Sequence, residues 1–370
     1  MRIFNGAGLS YSLEREDAPL KTVDVLKSPY WLADIALGGK SFRKNPLIGS
    51  PRLNERGLHV RRMELAEKMA AWRRKRMHHL LPPHHREFFE EKGYLALERF
   101  LPNDLFQRMK AEVHTTKMPA WEMKQGRTVT RFIPLPPSVL KGAPALSKTV
   151  WNPVFQGGLR YIAGTNGNPI VYLHTVLSNP EEQRADPQTQ MHSDTFHPTS
   201  KAWLFLDDVE MEDGPFLYVP GSHRLTDGRR KWEYEQSLSA AHHQNVLHAV
   251  GSFRTSMEEA REMGFGEPVA MTVPANTLVI ADTHGFHARG VSTRPCVRMG
   301  LYGSLRRNPF LPWVGLDLAS LPLVKSHQAF IFLRGQDLSA KWKGKDPSHV
   351  FVGEVLASTP AVRRETRAKS

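Results

Sequence analysis

The sequence predicts a mostly β fold with flanking helices, arranged as a sandwich or a jelly-roll barrel. The first observation behind this is a change of texture near residue 168, after which short apolar runs are broken by turn residues. These runs are "PIVYLHTVL", "KAWLFLDDV", "PFLYVP", "PVAMTV", "TLVIAD" and "CVRMGLYGSL". The second is their Gly/Pro punctuation, as in "EDGPFLYVPGSHR". The third is a helical texture upstream, which places helices beside the β region and not between its strands.

Residues 1 to about 57 carry Gly, Pro and isolated charges without a sustained period, and read as an irregular extension wrapping the main body. From Leu58 to Leu80 the positions Leu58, Met63, Leu65, Met69, Trp72 and Leu80 approximate one helical face, with Arg and Lys opposite. "LPP" at 81–83 stops this basic amphipathic helix. "HHREFFEEKGYLALERFLPNDLFQRMKAEV" then predicts a helix, a short strand from Tyr94 to Leu97, and a second helix capped by Asn103. Residues 224–266 form a polar, partly helical insertion, long for a plain connection and therefore a candidate lid. The expected organisation is an N-terminal extension over 1–80, a β domain over 81–335, and a C-terminal segment over 336–370 with a disordered end.

The 370 residues, 40% of them hydrophobic, suffice to bury a substantial core. Cys296 is the single cysteine, which excludes an intrachain disulfide and a cysteine-rich zinc site. No apolar run is long enough for a membrane span, and "MRIFNGAGLSYSLERED" lacks the apolar block of a secretory signal. These features predict a cytoplasmic protein. The net charge of +13 invites a nucleic-acid reading, but much of the excess sits in "RRMELAEKMAAWRRKRMHH" and "RRETRAKS". Solvated basic faces explain that better, so no nucleic-acid partner is expected. An anionic small substrate would use the same field, and Arg127, Arg131, Arg229 and Arg230 are candidates to meet it. Nothing in the sequence sets an oligomeric state.

The chemistry-bearing stretch is "PQTQMHSDTFHP". His192-Ser193-Asp194 places two potential ligands on one strand face, because side chains alternate with period two. With a further histidine from a facing strand, two imidazoles and a carboxylate would form the facial triad of non-haem Fe(II) oxygenases. Taken alone, the motif equally fits a polar strand end with Asp194 capping a turn. In "RPCVRMGLYGS", Cys296, Arg298, Gly300 and Tyr302 share one face of a strand. An arginine facing into a barrel needs a carboxylate partner, which a bound dicarboxylate would supply through a two-pronged contact.

Over about Arg86 to Leu305 the chain resembles the phytanoyl-CoA dioxygenase family of Fe(II)/2-oxoglutarate oxygenases. The carrying stretches are "REFFEEKGYLALERFLP", "HSD", "AWLFLDDVEMEDGPFLYVPGSHR" and "FHARGVSTRPCVRMGLYGS". The resemblance implies a double-stranded β-helix, a jelly-roll core of cupin-like type. It implies that His192, Asp194 and His287 hold Fe(II), and that Arg298, eleven residues after His287, binds the far carboxylate of 2-oxoglutarate. Eleven residues after His284 lies Pro295, so His284 is expected to be a neighbouring polar group. Trp203, Gln190 and Asn179 are further candidates to line the co-substrate site, while His197 and His223 suit surface or supporting positions. The implied activity is a dioxygenase that hydroxylates a small organic substrate with O2, releasing succinate and CO2. Halogenating relatives lack the carboxylate ligand, so Asp194 favours hydroxylation. The rival readings are a zinc hydrolase on the same ligands and a non-enzymatic barrel that binds ligand or nucleic acid. The histidine groups in "MHHLLPPHH" and "AAHHQNVLH" read as polar side chains facing solvent, with no carboxylate or cysteine to complete a metal site in the first.

Overall fold

The computed structural model describes residues 28–179, 186–313, 317, 320–342, 344 and 346–361. The expected disordered end and the first part of the N-terminal extension lie outside the described residues. Eleven strands run β1 Tyr94–Leu97, β2 Met118–Gln125, β3 Thr128–Pro134, β4 Ile170–Ser178, β5 Ser200–Phe205, β6 Phe216–Tyr218, β7 Val269–Ala270, β8 Leu278–Asp282, β9 His287–Arg289, β10 Cys296–Leu305 and β11 Val350–Val355. They form an eight-stranded sheet, ordered β1-β8-β5-β10-β4-β3-β2-β11, and a three-stranded sheet, ordered β7-β6-β9. All pairings are antiparallel. A single bridge from His192 to His287 adds a fourth line to the small sheet beside β9.

From β4 onward the chain visits the large sheet, the small sheet (at His192), the large sheet (β5), then the small sheet twice (β6, β7). It returns through β8, β9 and β10 in alternation, and β10 lies against β4, from Cys296↔Ser178 to Ser304↔Ile170. First and last strands are neighbours and the two sheets share consecutive strands, which is a double-stranded β-helix, or jelly roll.

The helices preceding the first core strand are α1 Ser28–Ala36, α2 Pro51–Glu55, α3 Leu58–Arg76, α4 Pro83–Lys92, α5 Asn103–Thr115, α6 Pro137–Lys141, α7 Pro144–Val150 and α8 Pro153–Ala163. Helix α8 lies across β5, β8 and β10, where Phe155, Leu159 and Ile162 share a core with Leu204, Ile280 and Leu301. A methyl on Gly158 would meet the Cδ1 end of Ile280, and one on Gly303 the Cδ1 end of Leu159 and the ring edge of Phe155, so both glycines ease the close approach of helix and sheet. On β5, Ala202 and Leu204 turn toward this core while Lys201, Trp203 and Phe205 face the interior between the sheets.

Several expectations are corrected. Residues 28–57 contain α1 and α2 instead of irregular chain alone. In α3 Leu65 and Trp72 are exposed, and the buried face includes Arg62, Arg73 and Arg74. These arginines meet carbonyls that need donors. Arg74 donates to the carbonyls of Tyr161 (3.1 Å) and Ile162 (2.6 Å) and reaches Asp282 Oδ2 at 3.4 Å. Arg73 donates to the carbonyls of Gly164, Pro309 and Leu311. The last turn of α8 leaves carbonyls without intrahelical partners, and two guanidiniums supply the donors and the favourable charge. Asn103 is the first helical residue of α5, not its cap; Pro102 precedes it.

The segment 224–266 is packed down. Its helix α9, Asp227–Ser239, buries Trp232 and Arg229; Arg229 pairs with Glu233 at 2.8 Å, and Glu233 accepts from His59 Nε2 at 2.8 Å. The segment is thus seated on the body of the protein through buried ion pairs. Arg131 also serves the fold: it contacts Glu122 across the β2–β3 hairpin and donates to the carbonyls of Leu356, Ala357, Thr359 and Pro360. Arg230 pairs with Glu64 and Asp227. Arg131, Arg229 and Arg230 are thus committed to protein partners. Among the described residues no helix is long and apolar enough to cross a membrane.

Replacing Arg74 with Met removes three donated bonds and leaves the Asp282 carboxyl buried without a counter-charge. The variant is expected to lose about 3 kcal/mol of unfolding free energy in urea titration of the metal-free protein, and an unchanged midpoint would show that the α8 terminus needs no such donor.

Candidate metal centre

His192 and His287 are tied by reciprocal backbone bonds, each N–H donating to the other's carbonyl at 2.9 Å. Asp194 N–H donates to Thr283 O at 2.9 Å, which fixes the residue two places on. Within this frame His192 Nδ1 donates to Gln190 O at 2.7 Å and His287 Nδ1 to Gly285 O at 3.0 Å. A carbonyl only accepts, so each ring carries its proton on Nδ1 and presents the lone pair of Nε2. Both Nε2 atoms lie 3.8 Å from Asp194 Oδ1, and the three ligand atoms fall within 4.8 Å of one another. His287 Nε2 is buried with no protein partner. Two neutral imidazoles and one carboxylate oxygen, aimed at a common point, fit a divalent cation such as Fe(II). Among the described residues no other group of three His, Cys, Asp or Glu converges in this way.

The electrostatics agree. Burial, then the neighbouring His287, pushes the His192 imidazole well below its ordinary value, and burial lowers His287 to about 4, so both are neutral near pH 7. Burial alone would raise Asp194, but the Lys201 ammonium and the two imidazoles hold its carboxyl well below the usual carboxylate range. Lys201 Nζ lies 2.6 Å from Oδ2, so one carboxylate oxygen faces the imidazoles and the other is taken by the lysine.

Beside the triad a cavity of about 220 Å³ opens between the sheets. Trp203 lies tilted against Phe216 at 4.6 Å, and Tyr302 lies 4.6 Å from Tyr172 and 5.2 Å from His174. Burial and nearby cations lower His174 to about 3, leaving a neutral ring. Arg289 and Arg298 both reach this cavity. Arg289 has a carboxylate, Asp186 Oδ2 at 2.6 Å. Arg298 has none within ion-pair distance among the described residues, and its Nε is buried without a hydrogen bond. Burial, then Arg289, lowers the Arg298 guanidinium to about 10.

The other sequence candidates divide. Trp203 lines the cavity. Gln190 contributes its carbonyl to His192, but its side chain accepts from Asn245 Nδ2 at 3.1 Å and does not line the cavity. Asn179 is exposed beyond the end of β4 and also stays outside it. His284 is buried and donates from Nδ1 to Thr195 O at 2.9 Å. His197 and His223 are buried as well, which leaves the supporting one of the two positions expected for them; His223 packs on Phe89 at 5.3 Å. Sequence reasoning missed Lys201, His174 and Arg289. Lys201 had a signal, since it stands two residues before Trp203 and shares its strand face.

A family model described as phytanoyl-CoA dioxygenase (PhyH) matches residues 89–288. The chain belongs to the phytanoyl-CoA dioxygenase family. His192, Asp194 and His287 fall inside the matched stretch, and Arg298 lies ten residues beyond its end. Family relatives include the peroxisomal phytanoyl-CoA dioxygenases of Rattus norvegicus, 24% identical over 163 residues, and Homo sapiens, 25% identical over 161. Each match covers 38% of this chain and 46% of the relative, so the chain spans about half the length of the curated relatives it matches. Similar solved structures include the non-haem α-ketoglutarate-dependent carbocyclase SnoK (21% identity, TM-score 0.38, covering 60% of this chain and 83% of that one). Another is the epimerase SnoN in complex with Fe3+, α-ketoglutarate and nogalamycin RO (17%, 0.40, 63% and 91%). HygX from Streptomyces hygroscopicus with nickel, 2-oxoglutarate and hygromycin B is a third (15%, 0.35, 60% and 86%). These likenesses are remote, and the fold assignment rests on the strand order itself.

The buried neutral histidines make folding sensitive to acid. His174 is lowered to about 3, and His248 and His284 to about 4, so the unfolded chain takes up protons below about pH 6.5 that the folded chain refuses. Asp282, raised to about 7 by burial, works in the opposite direction and offsets one of them. The metal-free protein is expected to lose at least about 3 kcal/mol of stability between pH 7 and pH 5. Chemical unfolding at the two pH values checks this, and an unchanged stability would mean that the imidazoles are protonated in the folded chain.

Proposed function

We propose that this protein is an Fe(II)- and 2-oxoglutarate-dependent dioxygenase. It hydroxylates an unactivated C–H bond of a small organic substrate and releases succinate and CO2. The observation that carries the reading is the pairing of two features in one space. Three metal-ligating atoms converge at the wall of a cavity, and that cavity holds an arginine lacking a carboxylate of its own.

His192, Asp194 and His287 would hold the metal, and the cavity beside them would take the co-substrate. Iron bound there supplies the redox chemistry that couples O2 and the decarboxylation of 2-oxoglutarate to hydroxylation. Arg298 orients the co-substrate by gripping its far carboxylate, a contact that a planar guanidinium makes with two bonds. Trp203, Phe216 and Tyr302 supply apolar walls that keep water from the reacting groups. Lys201 holds the second oxygen of Asp194 and so fixes which oxygen the metal meets. Asp194 itself, as a ligand at the position that halogenating relatives leave vacant, supports hydroxylation. A zinc hydrolase on the same triad gives Arg298 no task, and a simple binding barrel gives none to the triad.

Anaerobic titration with Fe(II) and then 2-oxoglutarate is expected to give the weak visible charge-transfer band of the chelate. Asp194→Ala abolishes succinate release, and succinate made at the wild-type rate by that variant would remove the assignment. Arg298→Ala raises the 2-oxoglutarate requirement on the order of a hundredfold, the loss expected for a charged two-pronged contact. An unchanged requirement would take that role from Arg298, and substrate turnover without O2 would favour the hydrolase.

A further inference from the structure

The two imidazoles are buried to 3% and 5% side-chain exposure, whereas Asp194 keeps 26%. Asp194 is thus the most exposed member of the triad, while both histidines line the cavity. Four cations gather about Asp194. Lys201 Nζ takes Oδ2, and Lys40, reaching in from the N-terminal segment, donates from Nζ to the Asp194 carbonyl at 2.6 Å. Arg254 is placed by its bridge to His192; its Nη1 is anchored on the Ser252 carbonyl (2.7 Å) and hydroxyl (2.6 Å), and its Nε is buried without a partner. Arg306 follows the end of β10, two residues after Ser304, which pairs with Lys201 in the sheet. Its guanidinium makes no hydrogen bond or ion pair among the described residues.

Among the described residues one negative charge serves all four. Asp194 is the carboxylate whose field reaches Lys40, Arg254 and Arg306, and a divalent cation at the triad would claim it. Lys40 and Arg254 are partly buried and Arg306 is exposed at their edge; partly buried cations short of counter-charge are unfavourable, and a seated oxyanion reduces that penalty. The carbonyl and hydroxyl contacts on Arg254 and Lys40 hold them in place without neutralising them.

We propose that Lys40, Arg254 and Arg306 form an anion subsite for the substrate. The substrate carries a phosphate or carboxylate group that docks beside Asp194, while 2-oxoglutarate occupies the cavity that holds Arg298. This assignment rests on the oxygenase reading above and adds the class of substrate to it. Arg306 and Arg254 supply the forked donors that recognise an oxyanion, and Lys40 supplies a point charge.

The test is calorimetric titration of the Fe(II)/2-oxoglutarate-loaded protein, without O2 and at constant ionic strength, with inorganic phosphate and, separately, propionate. One of the two is expected to bind saturably; which one distinguishes a phosphate ester from a carboxylic acid. Arg306→Gln and Arg254→Gln each raise its dissociation constant at least about tenfold, and Arg306→Lys recovers part of the loss. The charge-transfer band persists in these variants, which shows that the triad is intact. The proposal is overturned if neither anion saturates the wild-type protein. It is overturned equally if binding survives in Arg306→Gln and Arg254→Gln but is lost in Arg298→Gln, which would place the anion in the co-substrate cavity. Calorimetry needs no band, so anion binding is decided even if the band never forms, an outcome that counts against the oxygenase reading alone.

Discussion

Everything at the site hangs on one short piece of antiparallel pairing, the reciprocal backbone bonds between His192 and His287. This pair attaches an otherwise irregular segment to the small sheet and sets the two rings 4.4 Å apart. It leaves the carbonyls of Gln190 and Gly285 where each ring can reach them. The imidazoles are then fixed in tautomer and direction by main chain alone, with no side chain needed to orient them. A one-residue slip in this register would turn one ring out of the barrel and dissolve the donor set.

The rest of the barrel follows from alternation along β4, β5 and β10. Odd and even positions divide between a dry layer under α8 and the polar cavity, so one strand packs a helix and lines the site at once. The glycines at 158 and 303 allow the helix to sit close enough for that layer to be continuous. Helix α3 then closes the far end of α8 with guanidiniums, and α9 is bolted beside it through Arg229, Glu233 and His59. Charged groups here do structural work because each meets a carbonyl or a carboxylate when it leaves water.

How much of this was legible depended on where the charges fell. Strands β1, β4, β5, β8 and β10 carry apolar runs on at least one face and could be read directly. The β2–β3 hairpin was hidden because "MPAWEMKQGRTVTRFIP" contains Glu122 and Arg131, which look like surface residues until they are seen opposite one another across the ladder. The packing of segment 224–266 was hidden for the same reason: its polar helix is polar because it pairs inward. The triad was visible because two of its members are two residues apart and the third follows from the family pattern. Gln190 and Asn179 misled because period two holds only within a strand. Gln190 stands in a bend before an isolated bridge, and Asn179 lies past the last paired residue of β4. Lys40 could not have been found, since it arrives from a segment whose local sequence says nothing of Asp194.

The arginines of α3 bear on how this protein is felt from a distance. A count of lysines and arginines assigns the chain a strong positive field, yet Arg62, Arg73 and Arg74 point inward and are capped by main-chain oxygens. Dissolved salt screens charges that it can surround, and it cannot surround these. To an approaching polyanion this helix is therefore a weaker magnet than its letters suggest, and raising the ionic strength should leave its seat on the barrel nearly untouched.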